Sequence, residues 1–267
     1  MKYPKISVIV PSYNQALFLE RTICSIINQD YPNLELIVID GGSKDGSLNI
    51  IEKYQEYIFY SESQKDKGQT NAINKGLKKA TGEWVCWQNS DDIFTESSFS
   101  TLAKYANEKP GIDVLIGNIN LIDGSDNIIR DIKYVKPTYR SILAEGMVLT
   151  NQAAFWKRTV HERIGYLAED LHYGFDYEWF LRLLKEFDAH HVNETLGGYR
   201  IHGETKTSLH KEKFKDEYDK FLPKSIPGRL EKTFFLFRRI CLLILNHNYR
   251  YVLRGCKNFL IQKKEII

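Results

Sequence analysis

The strongest constraint on the fold is the alternation of β-branched runs with helix-length amphipathic segments over the first ninety residues. Four runs are typical of buried strands: KISVIV (5–10), LELIVID (34–40), YIFYSES (57–63) and EWVCWQ (83–88). Three predicted helices lie between them: ALFLERTICSIINQ (16–29) with Asn14 as its N-cap, a segment from 47 to about 54, and GQTNAINKGLKKA (68–80). This spacing indicates βαβ units. We therefore predict an α/β, Rossmann-like fold with a mostly parallel central sheet flanked by helices.

Three of the predicted strands end in polar or turn-forming residues. These endings are PSYN (11–14), DGGSKDG (40–46) and NSDD (89–92). The carboxyl ends of parallel strands lie at one edge of a sheet, and ligands of such sheets bind beyond that edge. We therefore expect the three endings to meet at one site.

The second half of the chain has a looser pattern. It contains a predicted helix FDYEWFLRLLKEF (175–187), preceded by a strand QAAFWKR (152–158) and followed by a strand-like run beginning at Ala189. A break near Pro223 to Pro227 separates a body, residues 1–222, from a C-terminal helical tail, residues 223–267. We expect the body to be one domain.

Charge divides the chain at the same place. From Lys224 onward there are ten Lys or Arg and two Asp or Glu, a net charge of +8, so the remainder carries −5 because the whole chain is +3. An acidic body disfavours nucleic acid as a partner, whereas an anionic surface suits the tail. The four cysteines form no CxxC pair, and no signal peptide or membrane-spanning run is evident, which favours a cytoplasmic protein.

The NSDD ending places two carboxylates, Asp91 and Asp92, after a buried strand. The chain lacks both GxGxxG and GxxxxGK[ST], so a glycine-rich loop is not its means of holding phosphate. A divalent cation, Mg²⁺ or Mn²⁺, between a diphosphate and these carboxylates is the alternative. A solvated turn is the competing interpretation of the pair.

Other residues of the three endings also have two interpretations. Asp40 can accept a hydrogen bond from a nucleoside, or it can shape its own loop by forming an Asx turn. Tyr13 can present a ring for base stacking or be an ordinary surface aromatic. The segment DKGQTNAINKG begins a helix whose N-terminus favours anions, and its alternative is ordinary capping.

Taken together, several motifs resemble glycosyltransferase family 2. They are SVIVPSYNQALFLERTICSIINQDYPNLELIVIDGGSKDGS (7–47), DKGQTNAINKG (66–76), GEWVCWQNSDD (82–92) and GFDYEWFLRL (174–183), and the resemblance runs from about Ile6 to Ser208. The family implies a GT-A fold, a nucleotide-sugar donor and inversion at the anomeric carbon. Residues 1–222 would then be the catalytic domain.

The resemblance also implies roles for individual residues. Those expected to hold the nucleotide-sugar are Pro11, Tyr13, Asp40, Gly68, Asp91 and Arg200. Asp92 is expected to be the direct metal ligand, with His202 as a second contact in the closing segment YRIHGETKTS (199–208). Asp176 is the predicted catalytic base, and Glu178 is the second candidate. Phe175 stands where a Glu often precedes the base.

Two departures from the family pattern narrow the expected activity. No QxxRW motif follows the predicted base, which argues against a processive synthase, and Ile73 stands where many relatives carry Arg. We expect a metal-dependent, hexosyltransferase-type enzyme that adds a single sugar, by default from a UDP-sugar, to a glycan or lipid-linked acceptor in bacterial surface polysaccharide synthesis. The alternatives are a sugar-nucleotide nucleotidyltransferase, whose glycine-rich loop is missing, and a non-catalytic membrane-associated scaffold with a vestigial nucleotide site.

The tail segment RLEKTFFLFRRICLLILNHNYRYVLRG (229–255) is predicted to be one amphipathic helix. Lys232, Arg239 and Asn246 recur every seven residues and leave a wide apolar arc. Such a helix can lie on an anionic membrane surface, here the inner face of the cell membrane, or pack on the body or on a second subunit in a homo-oligomer. The sequence leaves these possibilities open.

Overall fold

The computed structural model describes residues 2–203, 211–223 and 225–264. The strands are β1 Ile6–Ser12, β2 Leu34–Asp40, β3 Ile58–Ser63, β4 Trp84–Trp87, β5 Ile93–Phe94, β6 Val114–Ile122, β7 Ile128–Ile132, β8 Ala154–Lys157 and β9 Ala189–Arg200. The helices are α1 Ala16–Ile27, α2 Ser47–Lys53, α3 Gln69–Lys79, α4 Ser98–Glu108, α5 Tyr139–Glu145, α6 Val160–Ile164, α7 Phe175–Glu186, α8 Lys211–Phe221, α9 Arg229–Leu245 and α10 Tyr249–Lys264.

One sheet runs through the body in the order β3-β2-β1-β4-β8-β6-β9-β5, with β7 paired to β6. The first four strands are parallel, as expected from the βαβ pattern. Beyond them β8 is antiparallel to both β4 and β6, and β6 and β9 are parallel to each other. The predicted fold class is confirmed, and the second half of the sheet is mixed.

The helices α3 and α7 pack on the parallel strands. A Cβ on Gly76 of α3 would lie 2.5 Å from Cγ2 of Ile9, so only glycine lets this helix pack directly on β1. On the same face of the sheet, the Trp87 ring of β4 packs edge-to-face on Trp179 of α7, with centroids 5.8 Å apart. These contacts fix the ends of β1 and β4 relative to α7.

The N-terminus of α1 differs from the prediction. Asn14 has a left-handed backbone with φ of 51°, and its side chain accepts from the Lys44 amide at 2.9 Å instead of capping the helix. The Ala16 amide donates to the Asp45 carboxylate at 2.9 Å. The predicted N-cap is therefore wrong, since a carboxylate from the loop after β2 caps α1 and joins the two loops.

The tail is two helices, so the prediction of one continuous helix is wrong. His247, which has a left-handed backbone with φ of 58°, interrupts the helix between α9 and α10. Ion pairs with the body hold both helices: Arg140 binds Glu231 of α9, and Arg254 of α10 lies 2.6 Å from Asp131. None of the helices that the structure describes has the length and apolar character needed to cross a bilayer.

Candidate active site

The endings of β1, β2 and β4 meet at one edge of the sheet, as the sequence predicts. The Gly41 amide donates to the Ser12 carbonyl at 2.8 Å, which joins the ends of β1 and β2. The Gln69 side chain at the start of α3 donates to the Asn89 side chain at 2.9 Å, which ties α3 to the NSDD segment. We refer to this edge, with the residues that follow β1, β2 and β4, as the rim.

Tyr13 forms an exposed platform on the rim, with 61% of its surface accessible. A Cβ on Gly41 would lie 3.2 Å from the Tyr13 ring and 3.0 Å from a carboxylate oxygen of Asp66, so glycine is needed between them. Sequence reasoning missed Asp66, although the DKGQ segment contains it. Together these residues present a flat ring and an acceptor side by side, which suits a nucleobase.

Pro11 lies where the pairing between β1 and β4 ends at the rim. It lies in β1 opposite Ile39 of β2, but the pairing of β1 with β4 ends at Ile9 and Trp87. Proline has no amide hydrogen to donate to a neighbouring strand. The end of β1 is therefore left unpaired on the β4 side, between Tyr13 and the NSDD segment.

Asp40 is fully buried, and the loop after β2 uses its carboxylate. It accepts from the amides of Gly42 at 2.9 Å and Ser43 at 2.8 Å, and from the hydroxyl groups of Ser43 at 2.5 Å and Ser63 at 2.7 Å. This is the Asx-turn arrangement. The contacts favour a role in shaping the rim over the predicted direct contact with a nucleoside.

Asp92 is likewise buried, with 1% of its surface exposed. Its two carboxylate oxygens accept from the Arg200 amide at 2.8 Å, the Gln152 side chain at 2.6 Å and the Asn89 side chain at 2.9 Å. Burial and the neighbouring charge of Asp91 raise the pKa of Asp92 to about 8, against the lowering effect of these donors. This surrounding leaves no open side from which a cation could reach Asp92, which disagrees with its predicted role as the metal ligand.

Asp91 and His202 form the accessible polar pair of the rim. Their Oδ2 and Nε2 atoms are 3.0 Å apart, and their side chains are 21% and 11% exposed. The Phe18 ring packs against the imidazole with centroids 4.7 Å apart and fixes its position. A carboxylate oxygen suits Mg²⁺ or Mn²⁺, and a transition metal such as Mn²⁺ also accepts an imidazole nitrogen, when substrate phosphates complete the coordination. Among the described residues there is no group of three or more His, Cys, Asp or Glu arranged for a metal.

Arg200 lies on the buried side of this pair and contacts the main chain of Asp91. Its side chain is fully buried, and its Nε donates to the Asp91 carbonyl at 2.6 Å. Its Nη1 group pairs with the Asp126 carboxylate and donates to the Asp123 carbonyl at 3.1 Å. These contacts favour a positioning role for Arg200 over the predicted contact with diphosphate. The remainder of the predicted closing segment, residues 204–208, lies outside the described residues.

Asp176 lies in the first turn of α7, where Oδ1 accepts from the Tyr177 amide at 2.8 Å. The preceding residue, Phe175, places its ring 6.4 Å from that of Trp87, the last residue of β4. A Cβ on Gly174, two residues before Asp176, would lie 2.9 Å from the Tyr218 ring of α8, so the start of α7 packs against that helix. Asp176 therefore lies between the end of β4 and α8.

A buried glutamate of α8, Glu217, holds the segment that leads into α7. Its carboxylate accepts from the amides of His172 at 2.8 Å, Tyr173 at 2.8 Å and Gly174 at 2.7 Å. Burial raises its pKa, these three donors lower it, and the net direction is down. Sequence reasoning missed this residue because it did not predict α8.

Gly68 lies at the start of α3 with φ of 112°, a conformation that glycine adopts most readily. A Cβ there would approach the His172 ring at 3.6 Å, so the loop before α3 faces the segment before α7. Glu178, the second candidate for the base, is paired with Arg182 at 2.5 Å. Ile73 is fully buried and cannot replace a donor-binding arginine.

The family model described as Glycosyl transferase family 2 matches residues 7–166, more than half of the chain. The chain belongs to glycosyltransferase family 2. It is 38% identical over 132 residues to the GalNAc(5)-diNAcBac-PP-undecaprenol beta-1,3-glucosyltransferase of Campylobacter jejuni, covering 48% of this chain and 42% of that enzyme.

Solved structures show the same fold. S. aureus TarS 1-349 in complex with UDP-GlcNAc matches with a TM-score of 0.64 at 22% identity, over 77% of this chain and 61% of TarS 1-349. The mannosyltransferase PcManGT from Pyrobaculum calidifontis, in complex with GDP-Man and Mn²⁺, matches with a TM-score of 0.61 at 20% identity, over 85% of this chain and 67% of that one. The chain, a glycosyltransferase by its family, therefore has a GT-A fold.

Proposed function

We propose that this family 2 enzyme transfers a single sugar from a nucleotide-sugar to an acceptor hydroxyl, with inversion and with a divalent cation. The observation that carries the proposal is the Asp91–His202 pair at the rim. It lies beyond the parallel strand ends, where α/β sheets bind their ligands. The catalytic domain we assign to residues 1–222.

The nucleotide would bind across the rim. Tyr13 offers a ring for stacking, and Asp66 offers an acceptor for a base N–H, 3.0 Å from where a Cβ on Gly41 would lie. Asp91 and His202 would hold Mg²⁺ or Mn²⁺ against the diphosphate. When bound, the cation supplies positive charge that stabilises the departing diphosphate. A nucleoside diphosphate, by default UDP, fits this set of donors and acceptors.

Asp176 would act as the general base. An inverting transfer requires a carboxylate that accepts the proton of the acceptor hydroxyl while that oxygen attacks the anomeric carbon from the face opposite the diphosphate. Asp176 lies in the first turn of α7 beside the end of β4 and is partly exposed. Glu217 fixes the segment before it through three backbone amides, so the base is held by α8.

For the acceptor we propose a glycan or a lipid-linked saccharide in bacterial surface polysaccharide synthesis, at the cytoplasmic face of the cell membrane. The C. jejuni relative carries the name of a glucosyltransferase acting on an undecaprenol-linked glycan. The match covers less than half of each chain, so it supports the class of acceptor and not its identity.

A donor screen tests this function. The purified chain is incubated with UDP-, GDP- and dTDP-sugars, with Mn²⁺, with Mg²⁺ or with EDTA, and release of nucleoside diphosphate is measured. We expect release from one nucleotide class, dependent on the cation, at a low rate without acceptor. NMR of the transferred sugar then reports inversion. Release that continues at the same rate in EDTA contradicts metal dependence, and absence of release from every donor contradicts the proposed activity.

A further inference from the structure

The helix α9 is oriented with its charged side toward the body. Glu231 accepts from Arg140 Nε at 2.7 Å, Arg239 Nε lies 3.2 Å from Glu145, and Arg238 donates to the Lys136 carbonyl at 3.1 Å. Of its many apolar side chains, Phe235 and Leu243 are buried. A helix that packs on a protein core normally shows the reverse arrangement.

Five apolar residues of α9 point away from the body. Their exposed fractions are 89% for Leu230, 58% for Phe234, 65% for Phe237, 40% for Ile244 and 71% for Leu245. At 100° per residue these positions fall within about 60° on either side of one line along the helix. Leu253 of α10 is also 68% exposed. We call these six residues the outward face.

The charges around the outward face have one sign. Arg229 of α9 and Arg250 and Lys257 of α10 are exposed, while Lys232 is exposed on the opposite side of α9. Among the described residues of α9 and α10 the one acid is Glu231, and it is neutralised by Arg140. An apolar stripe bordered by cations is the pattern of helices that lie in the headgroup region of an anionic bilayer.

We propose that α9 and α10 bind an anionic lipid surface, with the outward face inserted and Arg229, Arg250 and Lys257 against the headgroups. A symmetric contact with a second copy would bring two sets of these cations into one interface, which is unfavourable, whereas anionic lipid neutralises them. The inference does not depend on the proposed transferase activity.

Further contacts connect the tail to the body. Arg254 of α10 is 2.6 Å from Asp131 of β7, and the Asn193 side chain of β9 donates to the Asn246 carbonyl at 2.9 Å. The strand β9 also carries Arg200. Binding of the outward face to lipid would therefore hold the rim in a fixed orientation relative to the membrane.

Flotation of the full chain with lipid vesicles tests this inference, without donor or acceptor present. Neutral phosphatidylcholine vesicles are compared with vesicles containing phosphatidylglycerol. The variant F234Q/F237Q removes two aromatic rings from the outward face. Phe59→Gln is the matched control, because Phe59 is also 58% exposed but lies on β3. Circular dichroism and thermal melting establish that each variant is folded.

We expect the wild type and Phe59→Gln to float with the anionic vesicles and recovery to fall at high salt. F234Q/F237Q should bind at least about tenfold more weakly, since insertion of each ring is favourable. The variant R250E/K257E should lose the preference for anionic lipid. Equal recovery of wild type and F234Q/F237Q overturns the inference. So does failure of the wild type to float, including the case in which F234Q/F237Q instead dissociates a dimer.

Discussion

The rim and the tail differ in whether the protein itself supplies contacts for their side chains. At the rim, Asp40 and Asp92 are buried polar groups whose oxygens are surrounded by donors from the chain itself. In the tail, Phe234 and Phe237 are apolar groups that the chain leaves in water. A carboxylate such as Asp92, whose oxygens accept hydrogen bonds from the protein itself, stabilises the structure. Accessible groups, such as the Asp91 carboxylate and the outward face, are available to external ligands.

The largest effect that this contrast predicts is at Asp91. Asp91→Asn keeps the size of the side chain but removes the charge that would hold the cation, so transfer should fall by about 10²- to 10³-fold. Steady-state rates at saturating donor measure this. Asp188→Asn is the control, because Asp188 is 91% exposed and lies between α7 and β9. Activity of Asp91→Asn close to wild type would remove Asp91 from the site.

Asp92 should behave differently from its neighbour. Asp92→Ala leaves the Arg200 amide and the Gln152 side chain without their acceptor in a buried site. We expect it to lower the free energy of unfolding by about 3 kcal/mol. Denaturant titration of Asp92→Ala and Asp91→Ala compares the two, and Asp91→Ala should lose much less. Equal losses would contradict the division of roles.

Glu217 allows a stabilising role to be compared with a role in positioning the predicted base, Asp176. Glu217→Ala leaves three backbone amides near α7 unsatisfied, at a cost of about 2 kcal/mol in stability. If Glu217 positions Asp176, kcat should fall about tenfold while KM for the donor stays unchanged. Glu217→Gln keeps one acceptor oxygen and should recover part of kcat. A variant that loses stability with unchanged kcat would limit Glu217 to the fold.

A further prediction concerns how the free energy of unfolding depends on pH. Burial lowers the pKa of His161 to about 4, and its ring bonds to Trp156 at 3.0 Å and the Gly165 carbonyl at 2.9 Å in a neutral form. The unfolded chain therefore binds this proton at higher pH than the folded chain, and stability should fall as the pH drops from about 6.5 toward 4. We expect a loss of about 3 kcal/mol, measured by urea unfolding across this range. His161→Gln should flatten the profile, and an unchanged profile would contradict the assignment.

Much of the rim could be predicted because its signals are local. The bounds of β2 follow from a β-branched run that ends in Asp40 and two glycines. The shared edge follows from the parallel pairing that βαβ units impose. The tail's separation at Pro223 to Pro227 remains a prediction, since no observation tests the boundary.

The remaining features depend on contacts between distant parts of the chain. Asp91 and Asp92 are chemically identical neighbours, and their roles divide because the Arg200 amide, 108 residues away, occupies Asp92. Glu217 reaches α7 from a helix whose charged sequence gave little apolar pattern. The tail's orientation depends on ion pairs with the body, such as Arg140 with Glu231. Periodicity finds a helix's apolar side but does not say which way that side faces.

Calorimetric titration of UDP, with and without Mn²⁺, tests most directly whether Asp91 and His202 hold the cation at the rim. For wild type and Asp188→Asn we predict binding at least about tenfold tighter with Mn²⁺. For Asp91→Asn we predict the same weak affinity in both conditions, because the nucleoside contacts remain and the cation is lost. Full retention of the Mn²⁺ effect in Asp91→Asn would contradict the account.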